Sequence, residues 1–142
     1  MQPSIREALA SDAQRIAQLS GQLGYDVPLA HAAWYLSLPR DERELFVAVV
    51  PRAGVVGWIG VTERPALLAS KRADVEGLVV EDEFRGHGTG ALLLAAAEEW
   101  ARRRGCTSLH VRTNVIRERA HAFYERSGYS RAKSQHIYTK TL

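Results

Sequence analysis

Apolar positions recur with helical spacing in four stretches of the chain, and they alternate or run together in the segments between. The helical stretches begin near Ser11, Pro28, Ala91 and Arg119. Short runs of β-branched and other apolar residues, bounded by glycine, proline or charged residues, predict strands. These strands are Ile5–Leu9, Leu45–Val50, Val55–Thr62, Arg72–Val80, Leu109–Thr113 and Ile137–Thr141. The predicted order is β-α-α-β-β-β-α-β-α-β.

This order predicts a mixed α/β fold, of the α+β kind, in which helices flank a central sheet. The second and third strands are joined by the turn Pro51–Gly54 and are expected to form a hairpin. The later β-α-β units favour parallel neighbours, so the sheet contains both orientations.

Helix ends carry local signals. Ser11 and Gln14 have the spacing of a capping box at the start of the first helix. Gly105 is placed to end the third helix. The last turns of that helix carry oppositely charged residues four apart, in the pairs Glu98–Arg102 and Glu99–Arg103.

Composition fits one soluble domain, and we expect it to span residues 1–142. Of the 142 residues, 46% are hydrophobic and 25% are charged, which is enough to build a core and argues against disorder. No apolar run approaches the ~20 residues of a membrane-spanning helix. The first residues lack the order of a secretory signal. A cytoplasmic location, away from membranes, is the expectation.

The charged residues and the potential metal-binding residues limit the classes of ligand that this protein is expected to bind. The 19 basic and 16 acidic residues leave a net charge of +3, and arginine supplies 16 of the basic residues. Arginine suits phosphate and carboxylate groups, so an anionic ligand is favoured. The arginines are scattered among acidic residues, so no nucleic-acid partner is expected. A single cysteine, Cys106, and the absence of clustered ligands argue against a metal site.

The most informative segment follows the fourth predicted strand. It reads Arg85-Gly86-His87-Gly88-Thr89-Gly90 and leads directly into the third helix. Glycines let the backbone approach a ligand, and the amides at a helix start favour phosphate. The alternative is a glycine-rich turn that only caps the helix. No Lys-Ser/Thr follows the last glycine, so an ATP- or GTP-binding loop is disfavoured.

Four segments together resemble one family. They are the glycine loop, the opening Ile5–Ala8 with Ser11–Ala13, the strand start Val55–Trp58, and the late helix and turn His121–Tyr129. The loop is similar to the acetyl-CoA-binding signature of the GNAT-superfamily N-acetyltransferases. The matches occur in the family's order and cover nearly the whole chain.

The resemblance implies where acetyl-CoA binds. Backbone amides of the loop would hold the pyrophosphate, and the main chain of the preceding strand would pair with the pantetheine arm. The following strand, Leu109–Arg112, would splay away and open a slot for the thioester. The family often has an asparagine where this chain has Arg117; either Asn114 supplies that contact or Arg117 replaces it. The implied cofactor-binding residues are Leu78, Val79, Val80, Arg85, Gly86, His87, Gly88, Thr89, Gly90 and Asn114.

The resemblance also implies catalytic residues. Tyr124 matches the tyrosine that faces the departing thiolate; the alternative is a core aromatic residue. Glu76, on the strand before the loop, is the expected base that accepts the proton of the amine, directly or through water. Its alternative is a surface or salt-bridged glutamate, and His110 and His121 are alternative bases. A strand N–H near Val79 would stabilise the oxyanion.

These inferences describe an N-acetyltransferase that transfers the acetyl group of acetyl-CoA to a primary amine by direct attack in a ternary complex. The acceptor would be a small molecule or a peptide amine, and the sequence does not identify it. The alternative is a non-catalytic acyl-CoA sensor or partner module. An exposed last strand, at Ile137–Thr141, favours a homodimer.

Overall fold

The computed structural model describes residues 2–112 and 118–142. They belong to two compact units, residues 1–112 and residues 113–142. The first unit holds five strands: β1 (Ser4–Glu7), β2 (Arg43–Val50), β3 (Gly54–Arg64), β4 (Arg72–Val80) and β5 (Ser108–Val111). It also holds three helices, α1 (Ala13–Ser20), α2 (Leu29–Ser37) and α3 (Thr89–Arg103). The second unit contains α4 (Glu118–Arg126).

The five strands form one sheet in chain order, and the mixed sheet that the sequence predicts is confirmed. Strands β1 to β4 are antiparallel neighbours, while β5 runs parallel to β4. The parallel pair is joined through α3, as a β-α-β unit requires. The order along the chain therefore places the end of β4 directly before α3.

Helices cover both faces of this sheet. Trp58 packs with the apolar residues of α1 and α2, including Leu19 and Leu36. A side chain at the preceding position, Gly57, would instead meet Leu93 of α3. Because successive strand residues point to opposite faces, α1 and α2 lie on one face and α3 on the other. We refer to the first as the α1/α2 face.

The predicted end of α3 is confirmed. The ion pairs Glu98–Arg102 and Glu99–Arg103 measure 4.0 and 3.1 Å. Gly105 has a φ of 77°, and the N–H of Cys106 donates to the Ala101 carbonyl at 3.0 Å. This geometry satisfies carbonyl groups that the last helical turn leaves unpaired. None of the helices in the described part of the chain is long and apolar enough to cross a membrane.

The start of α1 differs from the expected capping box of Ser11 and Gln14. A 3-10 turn over Ala10–Asp12 precedes the helix. The Asp12 carboxylate accepts the N–H of Leu9 at 2.7 Å and a two-pronged hydrogen bond from Arg6 at 2.8 and 3.1 Å. The Asp12 carboxylate therefore closes the start of the 3-10 turn, and no side chain of the described residues caps α1 itself. The hydrogen bond from Arg6, followed by that from Leu9, lowers the pKa of Asp12.

Asp12→Asn is expected to lower the free energy of unfolding by about 1.5–3 kcal/mol at neutral pH, because it removes a charge-assisted pair whose carboxylate is buried. Since the pKa of Asp12 is lowered in the folded protein, its stabilisation is present at neutral pH. It is lost as the pH falls below about 4. Urea unfolding of both proteins at neutral and acidic pH measures this. Asp41→Asn, at an exposed position, is the matched control; an equal loss in both variants would contradict the role of Asp12.

The predicted strand Ile137–Thr141 is wrong. The structure shows no strand after α4, and Ile137 and Tyr138 are 85% and 91% exposed. A strand needs a hydrogen-bonded neighbour, which a short apolar run alone does not guarantee. The expected homodimer was based on this strand, so it loses that support.

Candidate active site

A β-bulge places Glu76 on the α1/α2 face of the sheet. Gly60 pairs with Gly77, but Val61 pairs with Val75, so Glu76 is an extra residue opposite β3. A bulge turns two successive side-chain positions toward the same face. A side chain at Gly60 would lie 3.7 Å from Cβ of Glu76, and one at Gly77 would lie 2.6 Å from the Trp58 ring. Both positions therefore face α1 and α2, and Gly77 leaves room for the indole.

The Glu76 carboxylate is held by hydroxyl groups from two other elements. The Tyr35 hydroxyl of α2 donates to Oε2, and the Thr62 hydroxyl of β3 donates to Oε1 at 2.5 Å. Each carboxylate oxygen can accept a second hydrogen bond. Glu76 is itself exposed, so an amine or a water molecule can reach it. This arrangement suits a base that is fixed in position and still accessible.

Tyr35 keeps its proton throughout the neutral range. Burial, and then the hydrogen bond to Glu76, raises the pKa of Tyr35 to about 12. Its hydroxyl therefore remains a donor to the carboxylate at neutral pH. Sequence reasoning missed this contact, because Tyr35 and Thr62 lie far from Glu76 along the chain and meet it only in the folded protein.

The second half of β4 has an open edge. Strand β5 pairs with Arg72–Val75 only, while β3 pairs with β4 as far as Val80. Within residues 2–112 and 118–142, no strand pairs with residues 76–80 on the other edge. The main chain there is open to an extended ligand.

The strand segment Leu78–Val80 was expected to splay from Leu109–Arg112. In the structure Leu109, His110 and Val111 pair with the first half of β4, at residues 73–75, and not with residues 78–80. His110 lies opposite Asp74 and its Nε2 is 3.1 Å from the Ser108 hydroxyl. It therefore lies beside the closed half of β4, not beside the open half.

The glycine loop joins β4 to α3 through a short 3-10 turn, Asp82–Phe84. Gly86 and Gly88 both have a φ of 81°, and open space surrounds the position of a side chain at each. Helix α3 begins at Thr89, and its first intrahelical bond runs from the N–H of Leu92 to the Gly88 carbonyl at 3.0 Å. The amides of residues 89–91 thus have no intrahelical partner, the arrangement that favours phosphate.

The side chain of Arg85 is bonded within its own loop. Its Nε donates to the Val80 carbonyl at 3.1 Å, and its Nη1 lies 2.9 Å from Asp82. Both contacts tie Arg85 back to the residues at which the loop begins. The His87 side chain is exposed in the same loop.

Arg15 anchors the start of the loop from α1. It forms an ion pair with Glu81 and donates to the Val55 carbonyl at 2.8 Å. The N–H of Glu81 also donates to the Val56 carbonyl at 2.8 Å. Sequence reasoning missed this anchor because it joins residues that are distant in the chain.

Gly88→Val is expected to weaken acetyl-CoA binding by about tenfold or more. A β-branched residue is strained at positive φ, and its side chain fills the space in which the loop amides would meet phosphate. Calorimetric titration with acetyl-CoA measures the affinity.

The matched control is Gly105→Val, because Gly105 has a φ of 77° and equally open surroundings at the far end of α3. Both variants should lose similar stability. Unchanged affinity in folded Gly88→Val would place the phosphate elsewhere.

The second unit carries Tyr124 and His121 on α4. The Tyr124 ring packs edge-on against Phe123 and Tyr129, with centroids 5.1 and 5.9 Å away. Burial raises the pKa of Tyr124 to about 12, so the phenol is protonated at neutral pH. It is thus available as a hydrogen-bond donor. Two of the expected positions, Asn114 and Arg117, lie outside the described residues.

An open cavity of about 350 Å³ lies beside the end of α1. Its lining includes Tyr25 and Asp26 but no residue of the glycine loop or of the Glu76 contacts. Among the described residues, no group of three or more His, Cys, Asp or Glu could hold a metal ion.

Curated proteins with known activities resemble this chain. It is 30% identical over 131 residues to the aminoglycoside N(6')-acetyltransferase type 1 of Stenotrophomonas maltophilia, a match that covers 89% of this chain and 86% of that protein. It is 42% identical over 69 residues to the aminoalkylphosphonate N-acetyltransferase of Salmonella typhimurium, covering 49% of this chain and 44% of that protein.

A solved structure and a family profile agree with these relatives. An aminoglycoside N-acetyltransferase in complex with CoA superimposes with a TM-score of 0.88 at 20% identity, over 99% of this chain and 95% of that chain. Residues 7–129 match the acetyltransferase (GNAT) family, a range that includes the bulged strand, the glycine loop and α4. The resemblance drawn from the sequence is therefore confirmed: the chain belongs to the GNAT family of acetyltransferases.

Proposed function

We propose that this protein transfers the acetyl group of acetyl-CoA to a primary amine of a small molecule by direct attack. The observation that carries this is the bulge at Glu76, which sets an accessible carboxylate beside the open half of β4 and upstream of the glycine loop. Relatives named as acetyltransferases of aminoglycosides and aminoalkylphosphonates support an amine acceptor.

Binding of acetyl-CoA would use the backbone of one continuous segment. The pantetheine arm would pair with the open edge at Leu78–Val80, and the amides of residues 86–90 would hold the pyrophosphate. The N–H of Arg85 is not counted among them, because it donates to the Asp82 carbonyl at 3.3 Å. The N–H of Glu81 points to β3. By the alternation of strand groups, the N–H groups of Leu78 and Val80 point to the open edge. One of these two, rather than Val79, would stabilise the oxyanion.

The acceptor nitrogen has to lose two protons during the reaction. An alkyl amine is mostly protonated at neutral pH, so Glu76 would accept the first proton from it, directly or through water. The amine nitrogen then forms a bond to the thioester carbon, the bond from that carbon to sulfur breaks, and the nitrogen releases its second proton to water as the amide forms. Tyr124 would donate a hydrogen bond or a proton to the departing thiolate.

The protonation of the single cysteine, Cys106, also supports a direct attack. Burial raises the pKa of the Cys106 thiol, which reduces the thiolate that a covalent acetyl-enzyme would require. We therefore expect intersecting initial-rate lines when acetyl-CoA and amine are varied together. Parallel lines would indicate a covalent intermediate.

The test is release of free CoA thiol from acetyl-CoA across a panel of primary amines, with the products identified by mass spectrometry. Amine-dependent release with one acetyl group added per thiol supports the enzyme. Tight acetyl-CoA binding with no acetylated product from any amine would instead indicate a non-catalytic sensor.

A further inference from the structure

Three arginines surround one buried carboxylate near the start of β4. The Asp74 side chain is 7% exposed, and Arg112 Nη1 donates to it at 2.9 Å. Arg72 Nε and Arg64 Nε lie 3.4 and 3.6 Å from its oxygens. We call Arg64, Arg72 and Arg112 the arginine cluster. Three arginines and one aspartate give this group a net charge of +2.

The arginine cluster lies on the same sheet face as Glu76. In the β3–β4 ladder, Thr62 pairs with Asp74 and Arg64 pairs with Arg72. Paired and alternate residues share a face, so these four side chains lie together. The Thr62 hydroxyl donates to Glu76, and it thereby joins the cluster to the candidate base.

No other acid of the described chain forms an ion pair with this cluster. The three arginines pair with Asp74 alone among residues 2–112 and 118–142. Glu63, next to Arg64 in sequence, points to the opposite face, where it pairs with Lys71 and Arg104. The excess charge is therefore available to a ligand.

Solvent can reach the arginine cluster, although Asp74 restrains it from below. The side chains of Arg64 and Arg112 are 55% and 51% exposed, so their guanidinium groups reach solvent. Arg72 Nε is buried without a hydrogen-bond partner in the described structure, and it faces Asp74 without the geometry of a hydrogen bond. Asp74 holds the Arg112 guanidinium through a hydrogen bond and lies within ion-pair distance of the other two, which lowers the cost of ordering these groups around an anion.

Strand β4 sets the spacing of this cluster from the reaction centre. Acetyl-CoA would lie along Leu78–Val80, so the acceptor has to approach Glu76 from the other end of the strand. Asp74 lies two residues before Glu76, roughly 7 Å at the usual rise of a strand. An acceptor with its amine at Glu76 would extend toward the arginine cluster over that distance.

We propose that Arg64 and Arg112, held by Asp74, bind an acidic group of the acceptor, which is therefore a small primary amine with a carboxylate or phosphonate a few bonds away. This inference rests on the proposed acetyl transfer. A guanidinium fork matches both kinds of acidic group. The same excess of positive charge disfavours polycationic acceptors such as aminoglycosides.

The experiment compares four acceptors of the wild-type protein by kcat/KM for acetylation. They are 2-aminoethylphosphonate, β-alanine, propylamine as the amine without an acid, and kanamycin as a polycation. We expect the better of the two acidic amines to exceed propylamine by about 10–100-fold, as a charge-assisted hydrogen bond permits, and kanamycin to be poorest. Equal values for acidic amines and propylamine would overturn the inference while leaving the acetyltransferase intact.

Variants distinguish an anion site from a structural ion pair. Arg64→Gln and Arg112→Gln each leave two arginines around Asp74, so the fold should persist. We expect KM for the preferred acidic amine to rise about tenfold in each, with propylamine and acetyl-CoA unaffected. Arg103→Gln, which removes a surface ion pair on α3, is the control and should change nothing. A parallel change for acidic amine and propylamine would contradict the assignment.

Calorimetry of 2-aminoethylphosphonate and β-alanine with the CoA complex separates this inference from the proposed function. If no amine is acetylated but either acidic amine binds and Arg112→Gln weakens it, acetyl transfer fails and the anion site stands. If neither acidic amine binds and neither is turned over, the anion site is wrong.

Discussion

Glu76→Gln is expected to lower kcat about 10²–10⁴-fold at neutral pH, the usual contribution of a general base. Tyr35 and Thr62 donate to different oxygens of Glu76. In glutamine the carbonyl oxygen accepts from one hydroxyl and the NH2 group donates to the other, so the local structure should persist. It cannot take the proton of the amine. Acetyl-CoA affinity should remain unchanged, because the phosphate and pantetheine contacts assigned here are made by the backbone of other residues.

The loss of rate in Glu76→Gln should depend on pH. As the pH approaches the pKa of the amine, near 10 for an alkylamine, the acceptor loses its proton unaided. The deficit of the variant should therefore shrink. Steady-state rates from neutral to alkaline pH measure it, with Glu42→Gln, at an exposed position, as the matched control. A profile parallel to wild type would show that Glu76 is structural.

Tyr124→Phe is expected to lower kcat by about 10²–10⁴-fold if the phenol is a true general acid. A smaller loss would indicate hydrogen bonding only. Phenylalanine preserves the ring packing against Phe123 and Tyr129, so the fold should be retained. The loss should appear in kcat rather than in KM, because the hydrogen bond strengthens as the sulfur gains charge.

Steady-state kinetics with an accepted amine, together with melting curves, test this variant. Tyr138→Phe is the matched control, since Tyr138 is 91% exposed in the same unit and its hydroxyl is assigned no role. Equal rates for wild type and Tyr124→Phe would remove Tyr124 from the mechanism.

The features predicted correctly from the sequence depend on local chemistry. The end of α3 follows from Gly105 and from ion pairs within one helical turn. The glycine loop is recognisable because positive φ at Gly86 and Gly88 requires glycine. Strand β4 was predicted with its observed bounds because its apolar run is flanked by charged residues.

The features that were missed depend on contacts between distant residues. The bulge at Glu76 is a property of the register between β3 and β4, which neither strand specifies alone. The Tyr35 and Thr62 hydrogen bonds and the Arg15 anchor also arise only when separate elements pack. The expected capping box of Ser11 and Gln14 is replaced by a 3-10 turn in which Asp12 accepts the N–H of Leu9 and pairs with Arg6 of β1.

In the proposed enzyme, acetyl-CoA lies along the open half of β4 with its pyrophosphate on the glycine loop and its thioester near Glu76. A crystal structure with CoA bound tests this placement. We expect pyrophosphate oxygens within hydrogen-bond distance of the amides of residues 86–90 and the pantetheine paired with Leu78 or Val80, with the sulfur on the side of Glu76. Pyrophosphate bound away from this loop, or a sulfur remote from Glu76, would contradict it.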